Sequence, residues 1–458
     1  MDAETYAARR QALRKSVPEG AILIMGNDEA PINYLDNVYP FRQDSHFLYY
    51  AGVSHAGLAL LIEPDGIEVL YGTPDHPDDV IWHGPHPTLG DHAAAAGIGE
   101  SAGIGDLVGR LAALKEGGAD IHYLPPYRGE RGFTLGSLLG IDPREVGGGV
   151  SAELVAAVVA QRSIKEDAEI EEMEDALSVT AKMYRATMRS AEPGRTEAEI
   201  AAIHRAAAAA RDRQQAFIPI VTVCGDVLHN TSYENTLEEG DLLLVDSGAE
   251  SPRFYASDIT RTMPVTGKFT NQQRDIYEVV LAANLAAIDA AAPGVTNRDL
   301  HLIAARTITE GLKDVGVMKG NVDRAVEAGA HALFFVHGLG HMIGLDVHDM
   351  EDLGDIVGYE PGEERSSQFG LAALRLARKL DPGFVITIEP GIYFIAALVE
   401  RWHGEGRCKG YIRYDKLDDY CGLGGVRIED DVLITDDGHR VLGPPIPKTV
   451  DEIEAAMA

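Results

Sequence analysis

Acidic and histidine side chains stand inside or at the ends of apolar segments in the second half of the chain. An unpaired charge in such surroundings is costly, so each of these groups needs a compensating partner. The five residues are Asp246 in LLLVD, Asp258 in YASDIT, His341 in FFVHGLGH, Glu389 in FVITIE and Glu429 in GVRIED. Their positions at strand ends or within strands indicate a functional cluster.

The chemistry of this set favours divalent metal ions. Four carboxylates and one imidazole are mainly hard oxygen donors, which suit Mn, Mg or Co-like ions better than a structural zinc. Four negative charges balance two divalent cations, and carboxylates bridging ions about 3.5–4 Å apart are usual in two-metal hydrolases. Strand periodicity places Val385, Thr387 and Glu389 on one face, and Arg427 and Glu429 on one face of another strand. The side chains can therefore converge on a two-metal site.

Single residues of the set also have ordinary structural explanations. An Asp before Ser-Gly is typical of a turn, and a Glu in a strand is usually solvent-facing. His337 and His341 have a zinc-protease-like spacing, but Gly338 and Gly340 disfavour the required helix and no Glu follows His337, which excludes that class. His348, in GLDVHD, is equally compatible with an ordinary strand residue.

The elements that must position these residues fall into two regions. Near the N-terminus, short apolar runs (AILIMGN, GLALLIEP, GIEVLYGT and DIHYLPP) alternate with helix-compatible stretches and predict a small α/β domain. A charged cluster starts a fresh helix near Arg162. We therefore predict an N-terminal domain over 1–161 and a catalytic domain over 162–458.

Helices are followed by strands twice in the second region, which indicates two similar halves. This order favours an α+β domain whose helices cover one side of a mainly antiparallel sheet. The predicted helices are 166–190, 196–213, 271–292 and 297–315, and the predicted strands are PIVTVCGD, DLLLVDSGAE, FYASDITRTMPV, ALFFVHGLGH, FVITIEPGIYF and GVRIEDDVLIT.

Composition restricts the partners and the compartment. The 458 residues are 45% hydrophobic, as in globular proteins, and the net charge of −32 disfavours nucleic acid and anionic membranes as partners. No signal-peptide pattern or membrane-length apolar stretch occurs, so a cytoplasmic location is expected. Cys224, Cys408 and Cys421 lack metal-ligand spacing, which suits a reducing compartment.

Five sequence blocks resemble, in the same order, those of the aminopeptidase P and prolidase family, metallopeptidases acting on Xaa-Pro bonds. The blocks are LLLVDSGAE, SDITRT, HGLGHMIGLDVHD, TIEPGIYF and GVRIEDDV, and FRQDSHFLYYAGV resembles the N-terminal domain of the same group. The resemblance implies a pita-bread (creatinase/aminopeptidase-like) catalytic domain preceded by a smaller α/β domain. It covers nearly the whole chain.

The resemblance also implies a role for each matching residue. Asp246, Asp258, His341, Glu389 and Glu429 are expected to bind two divalent ions per chain, most simply Mn²⁺, with Co²⁺, Zn²⁺ or Mg²⁺ as alternatives. Glu389 is expected to shuttle the proton as well. The other implied roles are substrate positioning for His229, proline binding and transition-state stabilisation for His337 and His348, and bracing of the site for Arg427 and Tyr393.

Two peptidase activities are compatible with the resemblance. We favour an aminopeptidase that cleaves peptides with proline at the second position, because IWHGPHP resembles a segment in which a tryptophan, here Trp82, reaches a neighbouring subunit's site. That implies a homo-oligomer, a dimer or tetramer. A dipeptidase is the alternative, because Arg375 resembles the arginine that binds a dipeptide's carboxylate and the tail KTVDEIEAAMA is prolidase-like. Arg375 and Lys379 could instead form a solvated basic edge.

Other classes that share this fold fit less well. A creatinase-type hydrolase or a non-catalytic binding module resembles the fold but lacks the complete metal set, which is present here. A methionine aminopeptidase shares the metal set but does not need the first 160 or so residues. A metal-dependent Xaa-Pro peptidase therefore remains the favoured interpretation.

Overall fold

The computed structural model describes residues 1–74, 76 and 78–458. The chain divides into two compact units, one formed by Met1–Arg162 with Glu351–Gly354 and the other by Ser163–Met350 with Asp355–Ala458. The functional division into domains 1–161 and 162–458 stays a prediction. Among the described helices, none combines the length and apolar character needed to cross a membrane.

The first unit contains a mixed five-stranded sheet and a separate two-stranded hairpin. The strands of this unit are β1 (Ala21–Met25), β2 (Pro31–Tyr34), β3 (Asn37–Val38), β4 (Ala59–Ile62), β5 (Glu68–Gly72), β6 (Glu100–Gly103) and β7 (Ile121–Tyr123). The five-stranded sheet has the order β6-β5-β4-β1-β7, and β2 pairs with β3 in the hairpin. Its helices are α1 (Ala3–Ser16), α2 (Ser45–Ala51), α3 (Asp79–His83), α4 (Leu89–Ala95), α5 (Ile104–Glu116), α6 (Gly129–Leu139) and α7 (Ala152–Ser163), the last ending one residue inside the second unit.

Apolar residues on one face of this sheet pack against α5 and α6. Leu23, Leu61 and Val69 share a buried cluster with Leu107 and Leu135. The four apolar runs of the N-terminal region all form strands, as predicted. Strand β6 and the β2–β3 hairpin were not predicted, because ESAG lacks large apolar residues and the hairpin strand β2 is wholly exposed.

The second unit carries the residues singled out for chemistry. Its helices are α8 (Asp167–Met188), α9 (Glu197–Ala209), α10 (Asn271–Ala290), α11 (Asn297–Asp314), α12 (Val322–Glu327), α13 (Ala396–Glu405) and α14 (Val450–Met457). Its strands are β8 (Ile220–Thr222), β9 (Leu242–Ser247), β10 (Ile259–Pro264), β11 (Val385–Ile388), β12 (Gly391–Tyr393), β13 (Gly425–Arg427), β14 (Asp430–Ile434) and β15 (His439–Val441).

Local sequence explains where the four long helices begin. Thr196, Thr270 and Thr296 each accept a hydrogen bond from the backbone three residues later, as N-cap residues do. In α8, residues such as Ile170 and Leu177 recur at helical spacing and are buried. The four predicted helices are therefore confirmed, with bounds shifted by a few residues.

Strand pairing in the second unit is antiparallel throughout its described ladders, as predicted. The sheets have the orders β10-β9-β8, β11-β14-β15 and β12-β13. The runs FVITIEPGIYF and GVRIEDDVLIT each form two short strands instead of one. Pro390, which has no N–H to donate, stands at the first of these breaks. Glu389 and Glu429 consequently lie at breaks between strands.

The predicted strand ALFFVHGLGH is wrong. A short 3-10 turn, Ala330–Leu333, is followed by irregular chain up to His341. Gly340 packs so closely on β11 that a Cβ atom there would lie 1.9 Å from the carbonyl oxygen of Thr387. The segment still runs beside β11, because the Glu389 amide donates to the Leu339 carbonyl at 2.8 Å. Glycine thus allows a close backbone approach without a regular ladder.

Candidate metal centre

Three of the five candidate ligands meet around one threonine. In the β9–β10 ladder Thr260 lies opposite Asp246, and an isolated bridge places Glu429 opposite Thr260. Asp258 immediately precedes β10, two residues before Thr260, and therefore shares its face of the extended chain. The strand pairing thus brings three carboxylates from distant parts of the sequence to one place.

Backbone contacts between His341 and β11 bring in the remaining two ligands. The Thr387 amide donates to the His341 carbonyl at 3.0 Å, and the His341 amide donates to the Thr387 hydroxyl at 3.1 Å. Glu389 follows β11 directly. His341 and Glu389 therefore face the same space, and their nearest atoms, Nε2 and Oε1, are 3.7 Å apart.

Distances within the cluster are short enough for a shared metal ion. Asp258, His341 and Glu429 each present a potential ligand atom, and these atoms lie within 4.8 Å of one another. The Nε2 atom of His341 is 3.5 Å from Oδ2 of Asp258. Asp246 and Glu389 border this trio, and the charge of each raises the pKa of Asp258 and of Glu429.

The tautomer of His341 fits a metal ligand. Its Nδ1 lies 3.0 Å from the carbonyl oxygen of Met342, which can only accept, so Nδ1 carries the proton. In the neutral ring Nε2 then presents a lone pair toward the carboxylate oxygens of Asp258 and Glu389. A lone pair facing two ionised carboxylates is repulsive, and a cation bound between them would remove that repulsion.

Two buried carboxylate oxygens of the five candidate ligands have no hydrogen-bond partner among the described residues. These are the buried Oδ1 atoms of Asp246 and Asp258. Buried polar atoms are nearly always satisfied, and a bound ion is one explanation for an exception. The other oxygen of Asp246, Oδ2, accepts a hydrogen bond from Nη2 of Arg427 at 2.6 Å.

The electrostatics of the cluster point the same way. Burial and neighbouring carboxylates raise the pKa of Asp258 and of Glu429 well above their ordinary values. Burial, with a contribution from Asp246, raises the pKa of Glu389 to about 8. Carboxyl groups crowded in this way cannot all ionise without added positive charge, which two divalent ions would provide. The residues present therefore fit a pair of divalent metal ions.

Thr260 is a site residue that the sequence analysis missed. Its hydroxyl donates to Oε2 of Glu429 at 2.6 Å and accepts from Nε of Arg427 at 3.1 Å. The signal was present, because Asp258, Thr260 and Thr262 place polar side chains at every second position of a buried segment. Such alternation inside a buried strand marks one face as polar.

A cavity of about 490 Å³ opens over the cluster within the second unit. The sequence-predicted residues that line it are Asp246, Asp258, His341, Glu389, Glu429, His229, His337, His348, Arg375 and Arg427. Apolar side chains missed by the sequence analysis line it too, among them Phe217, Ile218 and Leu228. The cavity thus combines a charged floor with apolar walls, as peptide-binding clefts do.

His337, Tyr393 and Arg427 form one hydrogen-bonded chain beside the cavity. Nη1 of Arg427 donates to the Tyr393 hydroxyl at 2.8 Å, and that hydroxyl lies 2.8 Å from Nε2 of His337. Burial, and then the charge of Arg427, lowers the pKa of His337 to about 3, so its ring is neutral. Nδ1 donates to the Gly338 carbonyl at 2.8 Å, and Nε2 therefore accepts from Tyr393.

The other predicted residues are placed as follows. The ring of His348 lies against that of His341, with centroids 4.2 Å apart and the planes nearly perpendicular. His229 and Arg375 are exposed at the cavity wall. Trp82 lies on α3 of the first unit and is 79% exposed.

Comparison with known proteins places these features in a family. Residues 171–436 match Metallopeptidase family M24, and residues 6–122 match Aminopeptidase P, N-terminal domain. The Xaa-Pro dipeptidase of Homo sapiens is 32% identical over 474 residues, spanning 99% of this chain and 93% of that protein. The Xaa-Pro aminopeptidase of Haemophilus influenzae is 32% identical over 466 residues, spanning 99% and 97%.

A solved structure gives the same result in three dimensions. Pseudomonas aeruginosa aminopeptidase PepP superposes with a TM-score of 0.81 at 30% identity, covering 100% of this chain and 98% of that one. Together these similarities confirm the resemblance drawn from the sequence blocks. They also confirm the pita-bread catalytic fold preceded by an N-terminal domain.

Proposed function

The chain belongs to metallopeptidase family M24, and on that premise we propose that it is an Xaa-Pro aminopeptidase. It hydrolyses the bond between an N-terminal residue and a following proline in a metal-dependent reaction. The observation that carries this proposal is the closeness of Nε2 of His341 to the carboxylates of Asp258 and Glu389, on the floor of a cavity of about 490 Å³.

Five residues would hold two divalent ions: Asp246, Asp258, His341, Glu389 and Glu429. Mn²⁺ is the proposed metal because the set is rich in hard oxygen donors, and Co²⁺, Zn²⁺ and Mg²⁺ are alternatives. When bound, such ions lower the pKa of water and polarise the scissile carbonyl. The chain supplies no protein nucleophile in this scheme.

Proton transfer is assigned to Glu389. Its carboxylate lies at the cluster, and Oε2 is 3.7 Å from Nδ1 of His337. A carboxylate in this position can take a proton from the attacking water and return it to the leaving proline nitrogen. Arg427 would hold Asp246 and Tyr393 in place through its separate hydrogen bonds to each.

Stabilisation of the developing oxyanion is assigned to His348. Both ring nitrogens of His337 are already engaged, by Tyr393 and by the Gly338 carbonyl, which favours His348 for donation to the substrate. One such donor contributes roughly 10²–10³ in rate. His337 would instead border the proline ring, and His229 would orient the peptide.

Proline selectivity would arise from the substrate's missing donor. The nitrogen of the Xaa-Pro amide belongs to proline and carries no hydrogen, so a pocket around the ring does not have to satisfy an N–H donor. A secondary amide would place an unpaired N–H in the same pocket, and that is unfavourable. The apolar walls at Phe217, Ile218 and Leu228 support such a pocket.

One observation favours a second candidate, an Xaa-Pro dipeptidase. Arg375 lines the cavity, where a guanidinium could pair with the free carboxylate of a dipeptide. The similarity to the human Xaa-Pro dipeptidase is compatible with this activity. We retain the aminopeptidase as the main proposal.

The experiment that tests the proposal compares three substrates at one Mn²⁺ concentration. An Xaa-Pro-Xaa tripeptide should be cleaved well, a matched Xaa-Ala-Xaa tripeptide poorly, and an Xaa-Pro dipeptide less efficiently than the tripeptide. Equal cleavage of the proline and alanine tripeptides would contradict an Xaa-Pro peptidase of either kind.

We further propose a cytoplasmic homo-oligomer, a dimer or tetramer. Its partners would be peptides with proline at the second position, and neither nucleic acid nor membrane. The exposed Trp82 supports the oligomer, because a largely exposed tryptophan is common at interfaces and uncommon on free surfaces. In that assembly Trp82 would wall the cavity of a neighbouring subunit.

A further inference from the structure

The loop that carries His229 has both ends tied to one buried carboxylate. Glu197 is the first residue of α9 and has an exposed fraction of 0%. Its Oε1 accepts from the Val223 amide at 2.8 Å, and its Oε2 accepts from the Asn235 amide at 3.0 Å. We call the segment between these two amides, 223–235, the His229 loop. The hydrogen bonds to Glu197 that hold its two ends together are called the clasp.

Glu197 is satisfied by hydrogen bonds and not by a cation. It accepts five, from the Thr222 hydroxyl, the two amides above and the Asn235 side-chain nitrogen, which contacts both oxygens. Among the described residues no Lys or Arg forms an ion pair with it. Charge-assisted hydrogen bonds and the start of a helix stabilise a buried anion of this kind. The donors are consequently held in fixed positions.

Thr222 extends the clasp to the neighbour of His229. Its hydroxyl has one proton, which it donates to Oε1 of Glu197 at 2.9 Å, so its lone pairs remain as acceptors. They accept from the Cys224 amide at 3.0 Å and from Nδ2 of Asn230 at 2.9 Å. Asn230 directly follows His229 in the chain. A relay of hydrogen bonds therefore runs from α9 to the residue beside the imidazole.

We propose that Glu197 and Thr222 are positioning residues for His229. Neither lines the cavity, whereas His229 does, so their effect on a substrate must pass through the loop. They hold the loop closed and aim the imidazole into the cavity. The effect on catalysis depends on the proposed peptidase activity, whereas the closure of the His229 loop does not depend on that activity.

Removing only the relay tests the proposal. Thr222→Val deletes the hydroxyl at nearly constant volume. It should lower kcat/KM for an Xaa-Pro-Xaa tripeptide about tenfold, a change that corresponds to the free energy of about one hydrogen bond. Thr222→Ser keeps the hydroxyl and should stay near the wild type. Thr309→Val is the matched control, because it removes a buried hydroxyl on α11 that donates to the Ala305 carbonyl at 2.7 Å. It should change stability but not kcat/KM.

A double-mutant cycle with His229 separates positioning from a general structural role. In a His229→Ala background, Thr222→Val should change kcat/KM less than about twofold, because no imidazole remains to be misplaced. A full tenfold loss in that background would overturn the proposal. An unchanged kcat/KM for Thr222→Val alone would overturn it as well.

Hydrogen exchange without substrate keeps this inference distinct from the proposed activity. Amides of the His229 loop should exchange faster in Thr222→Val and Glu197→Gln than in the wild type or Thr309→Val. Unchanged exchange would refute the clasp even in an active enzyme. Absence of Xaa-Pro hydrolysis in the wild type would refute the proposed function while leaving the exchange result to decide the clasp.

Discussion

At the scale of single residues, Arg427 connects the parts of the centre. Its guanidinium contacts Asp246, Tyr393 and Thr260 through separate nitrogen atoms. A lysine has one charged nitrogen and could not reproduce these directions. The planar fork of Arg427 therefore fixes one candidate ligand and, through Tyr393, the orientation of His337.

A substitution of Arg375, also at the residue scale, distinguishes the two proposed peptidase activities. If Arg375 pairs with a dipeptide's carboxylate, Arg375→Ala should cost on the order of 2–5 kcal/mol in transition-state binding for Xaa-Pro dipeptides. Tripeptides place an amide there, and their kcat/KM should stay within a few-fold. Steady-state kinetics with both substrate lengths at one metal concentration makes the measurement.

Lys379→Ala is the control for this comparison, since it removes a nearby exposed cation that does not line the cavity. It should leave both substrates unaffected. Efficient dipeptide cleavage that Arg375→Ala abolishes, together with no tripeptide cleavage, would identify a dipeptidase instead.

The candidate ligands could be predicted from the sequence, but the residues that hydrogen-bond to those ligands could not. Asp246 and Glu389 stood out because charged groups follow apolar runs, a pattern that requires compensation. Thr260 and Thr387 stood out much less, because a threonine is an ordinary strand residue. Their roles depend on which hydroxyl faces which neighbour across the sheet, and only the fold fixes that register.

At the scale of secondary structure elements, breaks in strands place the chemistry. Glu389 directly follows β11, and Glu429 directly precedes β14. Both residues therefore lie between short strands, where the regular ladder is interrupted. Hydrophobic periodicity predicts an apolar strand but does not predict where its ladder is interrupted. Pro390 was a local signal of the break after β11, and the glycines of HGLGH were a local signal of the irregular segment beside that strand.

The close approach at Gly340 can be tested directly. Gly340→Ala would place a Cβ atom 1.9 Å from the Thr387 carbonyl oxygen, so the backbone beside His341 must shift. We expect a loss of more than about 3 kcal/mol in the free energy of unfolding, together with weaker metal binding. Denaturant unfolding and Mn²⁺ titration measure the two effects.

Gly404→Ala serves as the control, because Gly404 is inside α13 and an added Cβ would meet nothing within 4 Å. It should stabilise the protein by about 0.5–1 kcal/mol. A Gly340→Ala variant as stable as the wild type, with normal metal binding, would show that the segment can move away from β11 freely.

Buried histidines on α11 and the turn after α12 make stability depend on pH. Burial, and then the neighbouring His331, lowers the pKa of His301 to about 3, and its ring stacks on Phe335 at 4.8 Å. In the unfolded chain the ring binds a proton below about pH 6.5, whereas in the folded protein it stays neutral. Its contribution is therefore fully present above pH 6.5 and is lost as the pH falls toward 3.

His301→Phe should remove part of this pH dependence. The free energy of unfolding should fall with decreasing pH about 1.4 kcal/mol per unit less steeply than in the wild type, once the pH is well below 6.5. Urea unfolding at a series of pH values from 7 to 4 makes the comparison. Parallel curves for the two proteins would mean that His301 becomes protonated in the folded state.

At the scale of the whole molecule, charge alone does not identify the centre. The chain has 72 acidic residues and a net charge of −32, and four carboxylates form the candidate metal site. The predicted family and fold were nevertheless correct, because five ordered blocks of sequence coincide with the residues that the sheets bring together. The oligomeric state could not be established in the same way, because Trp82, the residue that indicates it, is exposed on the first unit and its expected contact belongs to another chain.

The central claim is that two divalent ions, held by the five clustered side chains, are required for Xaa-Pro hydrolysis. The most direct measurement is activity of the chelator-stripped protein, with metal content followed by elemental analysis. We expect no measurable hydrolysis without metal and recovery as Mn²⁺ reaches two ions per chain, while Asp258→Asn should bind fewer than two ions and stay inactive although folded. Hydrolysis at the original rate by protein confirmed to be metal-free would contradict it.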